Sequence, residues 1–171
     1  MRTKRLKNLT NKFILQMKPD YNQRINELQL NLPPAPNPAG AYKPIVRIDT
    51  LLYVSGHLPV MNDGTLITGR LGESLTVEDG KAVARQTGLV MLASLQNFLG
   101  DLNRIGRLVK TVGLVNCTPD FDQQPAVING FSELMIEIFG EENGKGARSA
   151  FGAILPLKAA VEIEAIFSLT V

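Results

Sequence analysis

The chain of 171 residues contains one cysteine, one histidine and no tryptophan. A single cysteine excludes an internal disulfide framework. One histidine beside it leaves no cluster with the ligand spacing of a zinc site. No apolar run approaches the ~18 residues that a membrane-spanning helix needs, because Gly, Asn, Lys or Glu interrupts each stretch within about ten. With 44% apolar and 20% charged residues, the composition also excludes a disordered chain, a collagen and a coiled coil. The expectation is a soluble, cytoplasmic, globular protein with a single core, burying roughly 70% of the surface its unfolded chain would expose.

Residues 1–19 lack acidic side chains altogether but carry Arg2, Lys4, Arg5, Lys7, Lys12 and Lys18. The overall charge of +2 therefore divides into a basic arm and a body, 20–171, with 12 basic against 16 acidic residues. Such an arm suits nucleic acid, a targeting peptide or a solvated tail, with Met17 as an alternative start. Phe13-Ile14-Leu15 is too short for the apolar core of a secretory signal. Residues 1–30 are read as a basic extension, partly disordered or a mis-assigned start, and 31–171 as the domain. An acidic body presents no phosphate-binding surface, which argues against nucleic acid as partner.

Within the body, residues 20–31 space Tyr21, Ile25, Leu28 and Leu30 as a short amphipathic helix. Four prolines between Pro33 and Pro38 force an extended surface segment. Ile45–Ile48 and Leu51–Gly56 around Asp49-Thr50 predict a β-hairpin, and Thr65–Thr68 a further short strand after the Asn62-Asp63-Gly64 turn. Thr76-Val77-Glu78-Asp79 has the form of a capping box, with Gly100 at the far end of the apolar periodicity. Arg107–Asn116 reads as a buried strand, and Asp122 to Gly140 as a second helix with Pro125 in its first turn. Ala147–Ile154 and Ala159–Thr170 read as closing strands. This order predicts an α+β domain, a mixed β-sheet with two helices packed on one face.

Period-two alternation puts Glu162 and Glu164 on one face of the last strand, opposite Val161, Ile163 and Ala165. Arg148 and Ala150 share a face of the preceding strand. Arg148 suits either a cross-strand ion pair with a glutamate or the grip of a substrate carboxylate. His57 follows Ser55 at the same parity, but no Asp completes a Ser–His pair, and a structural role is the plainer reading.

Gly40-Ala41-Tyr42, Tyr53-Val54-Ser55-Gly56-His57-Leu58-Pro59, Val127-Ile128-Asn129-Gly130, Ala147-Arg148-Ser149, and Leu155-Pro156 followed by Val161-Glu162-Ile163-Glu164-Ala165-Ile166 occur in that order. In these motifs the chain resembles the RidA/YjgF family of reactive-intermediate deaminases, in a branch with a proline-rich lead-in. The resemblance covers residues 31–171. It implies a chorismate-mutase-like fold assembled as a homotrimeric barrel, with clefts between subunits that take a small-molecule carboxylate. It implies hydrolysis of enamines and imines, as by a 2-iminobutanoate/2-iminopropanoate deaminase, to a 2-keto acid and ammonia, with no cofactor, no metal and no membrane. By the same resemblance Arg148 binds the carboxylate and Glu162 orients the attacking water. Tyr42, Ser55, Gly56, Asn129 and Ala150 line the pocket. Ala150 departs from the many deaminating members that carry Cys there, and the segment from Arg148 to Leu155-Pro156 is one residue shorter than theirs. Two alternatives stay open, a cleft that binds a 2-keto acid or amino-acid-derived carboxylate without turnover, and an endoribonuclease.

Overall fold

The computed structural model describes residues 20–170, so the basic segment 1–19 lies outside the described residues. A first helix, α1 (Tyr21–Glu27), starts at Asp20, whose side chain accepts the Gln23 N–H at 2.9 Å. Tyr21 and Ile25 of α1 are buried in the common core, and Tyr21 meets the edge of Phe139 with ring centroids 4.7 Å apart. The extended proline segment follows.

The hairpin forms as expected from β1 (Ile45–Ile48) and β2 (Leu51–His57), in a register that pairs Ile48 with Leu51 around the Asp49-Thr50 turn. Asp49 takes the left-handed φ of 51° that such two-residue turns demand. No full strand forms at Thr65–Thr68. Leu66 and Thr68 make only isolated bridges, to Val60 and Ala159, because the segment runs past the sheet's end instead of joining it. Helix α2 (Val77–Leu99) has the capping box foreseen: Thr76 Oγ1 accepts the Asp79 N–H and the Asp79 carboxylate accepts the Thr76 N–H. Gly100 closes it at φ 75°.

Strand β3 (Ile105–Asn116) leads into α3 (Gln124–Gly144). At Gly140 the backbone leaves helical geometry (φ 80°, ψ 167°), so the long helix stops where the sequence places its end and a short second helical stretch follows to Gly144. Strands β4 (Ala147–Ala153) and β5 (Val161–Leu169) complete a sheet of order β1-β2-β5-β3-β4, in which only β3 and β4 run parallel. The long helices α2 and α3 cover one face of it. They approach closely because a Cβ at Gly130 would overlap the Lys81 carbonyl, and one at Gly88 would crowd Leu134 and Phe131. Under them lie Leu52, Val54, Ile163, Phe167, Met91, Leu92, Phe131 and Leu134, all buried. Each contributes roughly 1.5–3 kcal/mol through that burial. The opposite face of the sheet is bare: Val46 is 41% exposed, Ile48 55%, Tyr53 42% and Phe151 48%. Large apolar side chains left exposed on one sheet face make it a candidate contact surface.

Candidate functional site

Strand register decides on which side of the sheet each candidate stands. Thr111 pairs with both Arg148 and Ala165, and Thr111 and Ala165 are buried beneath the helices. Arg148 therefore points to the helix face. Leu114 pairs with Glu162 and with Phe151, which places Glu162 on the bare face. Glu164 stands beside it, opposite Val112. Arg148 thus shares no face with Glu162 and Glu164. The expected cross-strand ion pair is corrected, since β3 separates β4 from β5 and the side chains leave the sheet in opposite directions.

The arginine is braced from α3. Its Nη1 donates to Asn129 Oδ1 at 2.8 Å and to Ser132 Oγ at 3.1 Å. Asn129 and Ser132 are three residues apart and so share one stripe of the helix. Packing of Gly130 on α2 sets that stripe at the correct height. A hollow of about 380 Å³ opens here, lined by Thr111, Asn129, Ser132, Lys145, Gly146 and Arg148. Ser132 escaped the motif reading, although its i+3 spacing from Asn129 was the available signal. Ala150 shares Arg148's face, partly buried and packed against the core.

Glu162 is held quite differently. A Cβ on Gly56 would lie 2.9 Å from Glu162 Cδ and overlap Oε1. The glycine is therefore the seat on which the carboxylate rests. Partial burial there, and then the neighbouring charge of Glu164, push the Glu162 carboxyl above the usual glutamate range. On the far side of Gly56 a cleft of about 180 Å³ is walled by Pro36, Pro38, Tyr42, Pro44, Ser55 and Leu58. Tyr42 is half exposed at its mouth. Ser55 Oγ donates to the Lys43 carbonyl at 2.8 Å, fixing the wall.

A β-bulge creates this arrangement. Val54 pairs with Ala165 and His57 with Ile163, so β2 spends three steps where β5 spends two. Ser55 and Gly56 turn together toward the bare face, and His57 returns to the core. This corrects the expectation that His57 and Ser55 share a face. The imidazole is buried, with Nδ1 2.7 Å from the Ser55 carbonyl and Nε2 2.8 Å from Ser94 Oγ. A carbonyl only accepts, so Nδ1 carries the proton and Nε2 accepts from the Ser94 hydroxyl. Burial lowers the readiness of His57 to protonate, partly opposed by the Ser55 carbonyl.

Among the described residues, no group of three or more His, Cys, Asp and Glu side chains could hold a metal ion, and no helix is long and apolar enough to cross a membrane.

The predicted site residues fall into two clusters: Asn129, Arg148 and Ala150 on one side of the sheet, and Tyr42, Ser55, Gly56 and Glu162 about the bulge. Residues 22–167 match the family model described as "YjgF/chorismate mutase-like, putative endoribonuclease". The chain belongs to the RidA/YjgF family. It is 44% identical over 146 residues to Protein TCP17 of Trypanosoma cruzi, covering 85% of this chain and 91% of that one. Among solved structures it is similar to Atu1372 of Agrobacterium tumefaciens, a protein of unknown function, at 37% identity and a TM-score of 0.78, covering 88% of this chain and 94% of that one. A protein from Shewanella oneidensis MR-1 that carries the same endoribonuclease description matches at 29% identity and a TM-score of 0.83, covering 87% of this chain and 99% of that one.

Proposed function

We propose that this RidA/YjgF protein hydrolyses imines and enamines of amino-acid metabolism to 2-keto acids and ammonia, in clefts formed between copies of the chain assembled as a homotrimer. One observation carries this reading: a braced guanidinium and a seated, half-buried carboxylate lie on opposite faces of one sheet. One chain cannot present both to a small molecule. Two chains can, when the bare apolar face and the strand edges of one pack on the next, and Val46, Ile48, Tyr53 and Phe151 supply the contact. The homotrimer is the assembly that the family resemblance implies.

In the cleft, Arg148 of one subunit binds the substrate carboxylate through charge-assisted hydrogen bonds worth roughly 1.5–3 kcal/mol each. An enamine such as 2-aminoacrylate first takes a proton on carbon to become the iminium. Glu162 of the neighbour accepts a proton from water as the oxygen bonds to the iminium carbon, giving a carbinolamine. The same carboxyl returns that proton to nitrogen; the C–N bond then breaks with its electron pair leaving on ammonia, while the carbinolamine hydroxyl gives its proton to the carboxylate and becomes the carbonyl of the 2-keto acid. A carboxyl held above the usual glutamate range is better suited to both transfers than an ordinary one. The proline-walled cleft carries no charged side chain and suits an uncharged substituent on the substrate.

A binding-only cleft is the rival, favoured by Ala150, where a methyl group stands in place of the Cys of many deaminating members. The nuclease reading lacks an acid–base pair, since the single histidine is buried and hydrogen-bonded at both nitrogens. The deciding experiment follows ammonia from imines made in situ by an amino-acid oxidase, comparing wild type with Arg148→Ala and Glu162→Gln. Acceleration lost in both variants supports the hydrolase. Unaccelerated release, with keto-acid affinity that survives Glu162→Gln, establishes the binder. A light-scattering mass near that of the 18.7 kDa chain, instead of three times that value, overturns the shared cleft.

A further inference from the structure

The backbone around Gly56 raises a problem that the catalytic reading does not address. Pro44 stands opposite Ser55 in the β1–β2 ladder, one step beyond the Ile45–Val54 pair. Ser55 N–H donates to the Pro44 carbonyl at 2.9 Å. The return bond of such an antiparallel pair would run from Pro44 N–H to the Ser55 carbonyl, but proline has no N–H. On the other side of β2, the bulge breaks the regular pairing with β5 between Val54 and His57. The Ser55 carbonyl, at the centre of the bulge, is therefore left without its ladder donor, and a part-buried carbonyl deprived of a partner carries a cost.

His57 answers that need. Its Nδ1–H reaches back 2.7 Å to the Ser55 carbonyl, while Nε2 is tied to Ser94 on α2 at 2.8 Å. Both side chains are buried, 5% and 6% exposed. A purely apolar residue would fill this core position without any desolvation cost, so what the imidazole adds is the donor and its orientation. The Ser55 carbonyl, which only accepts, sets the ring's tautomer, and the Ser94 hydroxyl fixes its tilt. A chain of contacts then runs from helix α2 through Ser94 and His57 to the Ser55 carbonyl, and from there to Gly56 and the carboxylate resting on it.

We propose that His57 and Ser94 form a buried positioning pair that replaces the hydrogen bond Pro44 cannot give, locks the Ser55–Gly56 bulge, and so sets the place of Glu162. This rests on the reading of Glu162 as the proton acceptor, but it concerns a different part of the molecule. His57 backs the proline-walled cleft, but the pair acts through the bulge and not on the reacting atoms.

The test uses the full-length protein and imines generated by an amino-acid oxidase. His57→Phe keeps the ring volume and removes the donor. It should lower kcat by roughly tenfold to a hundredfold, the scale of effect that a misplacement of about 1 Å produces. KM should stay within about threefold, because the Arg148 side is untouched. His57→Asn places an amide N–H where Nδ1 stood and should recover most of kcat. Ser94→Ala should cost only a few-fold. Pro44→Ala restores a backbone N–H opposite Ser55 and should raise kcat of the His57→Phe protein again, a rescue no general packing role explains. Wild-type kcat in His57→Phe, or a loss that neither His57→Asn nor Pro44→Ala repairs, overturns the proposal. Where His57→Phe does not fold, His57→Asn and Ser94→Ala carry the same comparison, and an Asn variant worse than the Ser94 variant overturns it. If the wild type hydrolyses no imine, the readout becomes the Glu162 carboxyl titration followed by carbon NMR. Displacement of the carboxylate from its seat should move that titration toward the ordinary glutamate value in His57→Phe and back in the double variant. An unchanged titration overturns the positioning pair independently of the hydrolase reading.

Discussion

Arg148 and Glu162 are secured by opposite means. The arginine is held by partners: two hydrogen bonds from one stripe of α3, in an open, exposed setting. The glutamate is held by an absence, the missing Cβ of Gly56, in a setting that withholds water. A group that must grip a carboxylate keeps its full charge and needs direction, which hydrogen bonds supply. A group that must take and return a proton needs its basicity raised, which desolvation and a like charge supply. The two halves therefore fail in different ways when altered.

The largest expected effect is at the seat. Gly56→Ala forces the Glu162 carboxylate aside and should lower kcat by at least about a hundredfold, with ligand affinity little changed, as measured by steady-state kinetics beside calorimetric titration of a 2-keto acid. Arg148→Ala should instead weaken that titration by more than tenfold, the loss expected for charge-assisted hydrogen bonds. A comparable fall in kcat without a change in affinity would erase the distinction between the halves. Asn129→Ala and Ser132→Ala each remove one brace and should raise KM a few-fold, because the charge stays while its direction loosens.

Acidity gives a finer contrast. With Glu162 raised by burial and then by Glu164, turnover should fall away on the acid side above the usual glutamate value of 4.5, and Glu164→Gln should move that limb to lower pH. The smallest effect concerns folding stability. His57 is buried neutral and its folded value is depressed below 6.5. Its contribution is therefore complete above that value and declines as the pH falls below it, levelling off beneath the folded value, because the unfolded chain takes up the proton first. Urea midpoints from pH 7.5 to 5 should show this decline in wild type and not in His57→Phe.

What the sequence made legible was local. Thr76 and Asp79 lie three residues apart, and their capping box is written in those residues alone. Gly100 and the Asp49-Thr50 turn are similarly self-contained. Alternation also placed Glu162 and Glu164 together correctly. It could not say which side of the sheet they share with whom, because parity within β5 is related to parity within β4 only through β3, which lies between them. The bulge at Ser55–Gly56 was hidden for a related reason: it exists only against β5, a hundred residues later, and without it His57 counts to the wrong face. Gly140 belongs to the legible part, since its non-helical backbone at φ 80° ends the long helix where the apolar periodicity stops, before a short helical stretch to Gly144. The candidate residues were named from their motifs, while their division between two surfaces belongs to the tertiary pairing.

That division has a genetic reading. If each cleft takes its arginine from one copy and its glutamate from the next, a chain damaged at Arg148 and a chain damaged at Glu162 are not equivalent losses. Co-expressed in equal amounts, the two inactive products would mix, and about one cleft in four would inherit an intact residue from each parent. Two alleles that are null alone would then complement each other, and a single copy carrying both lesions would not be rescued by itself. Inheritance of activity would follow the pairing of surfaces and not the integrity of any one chain.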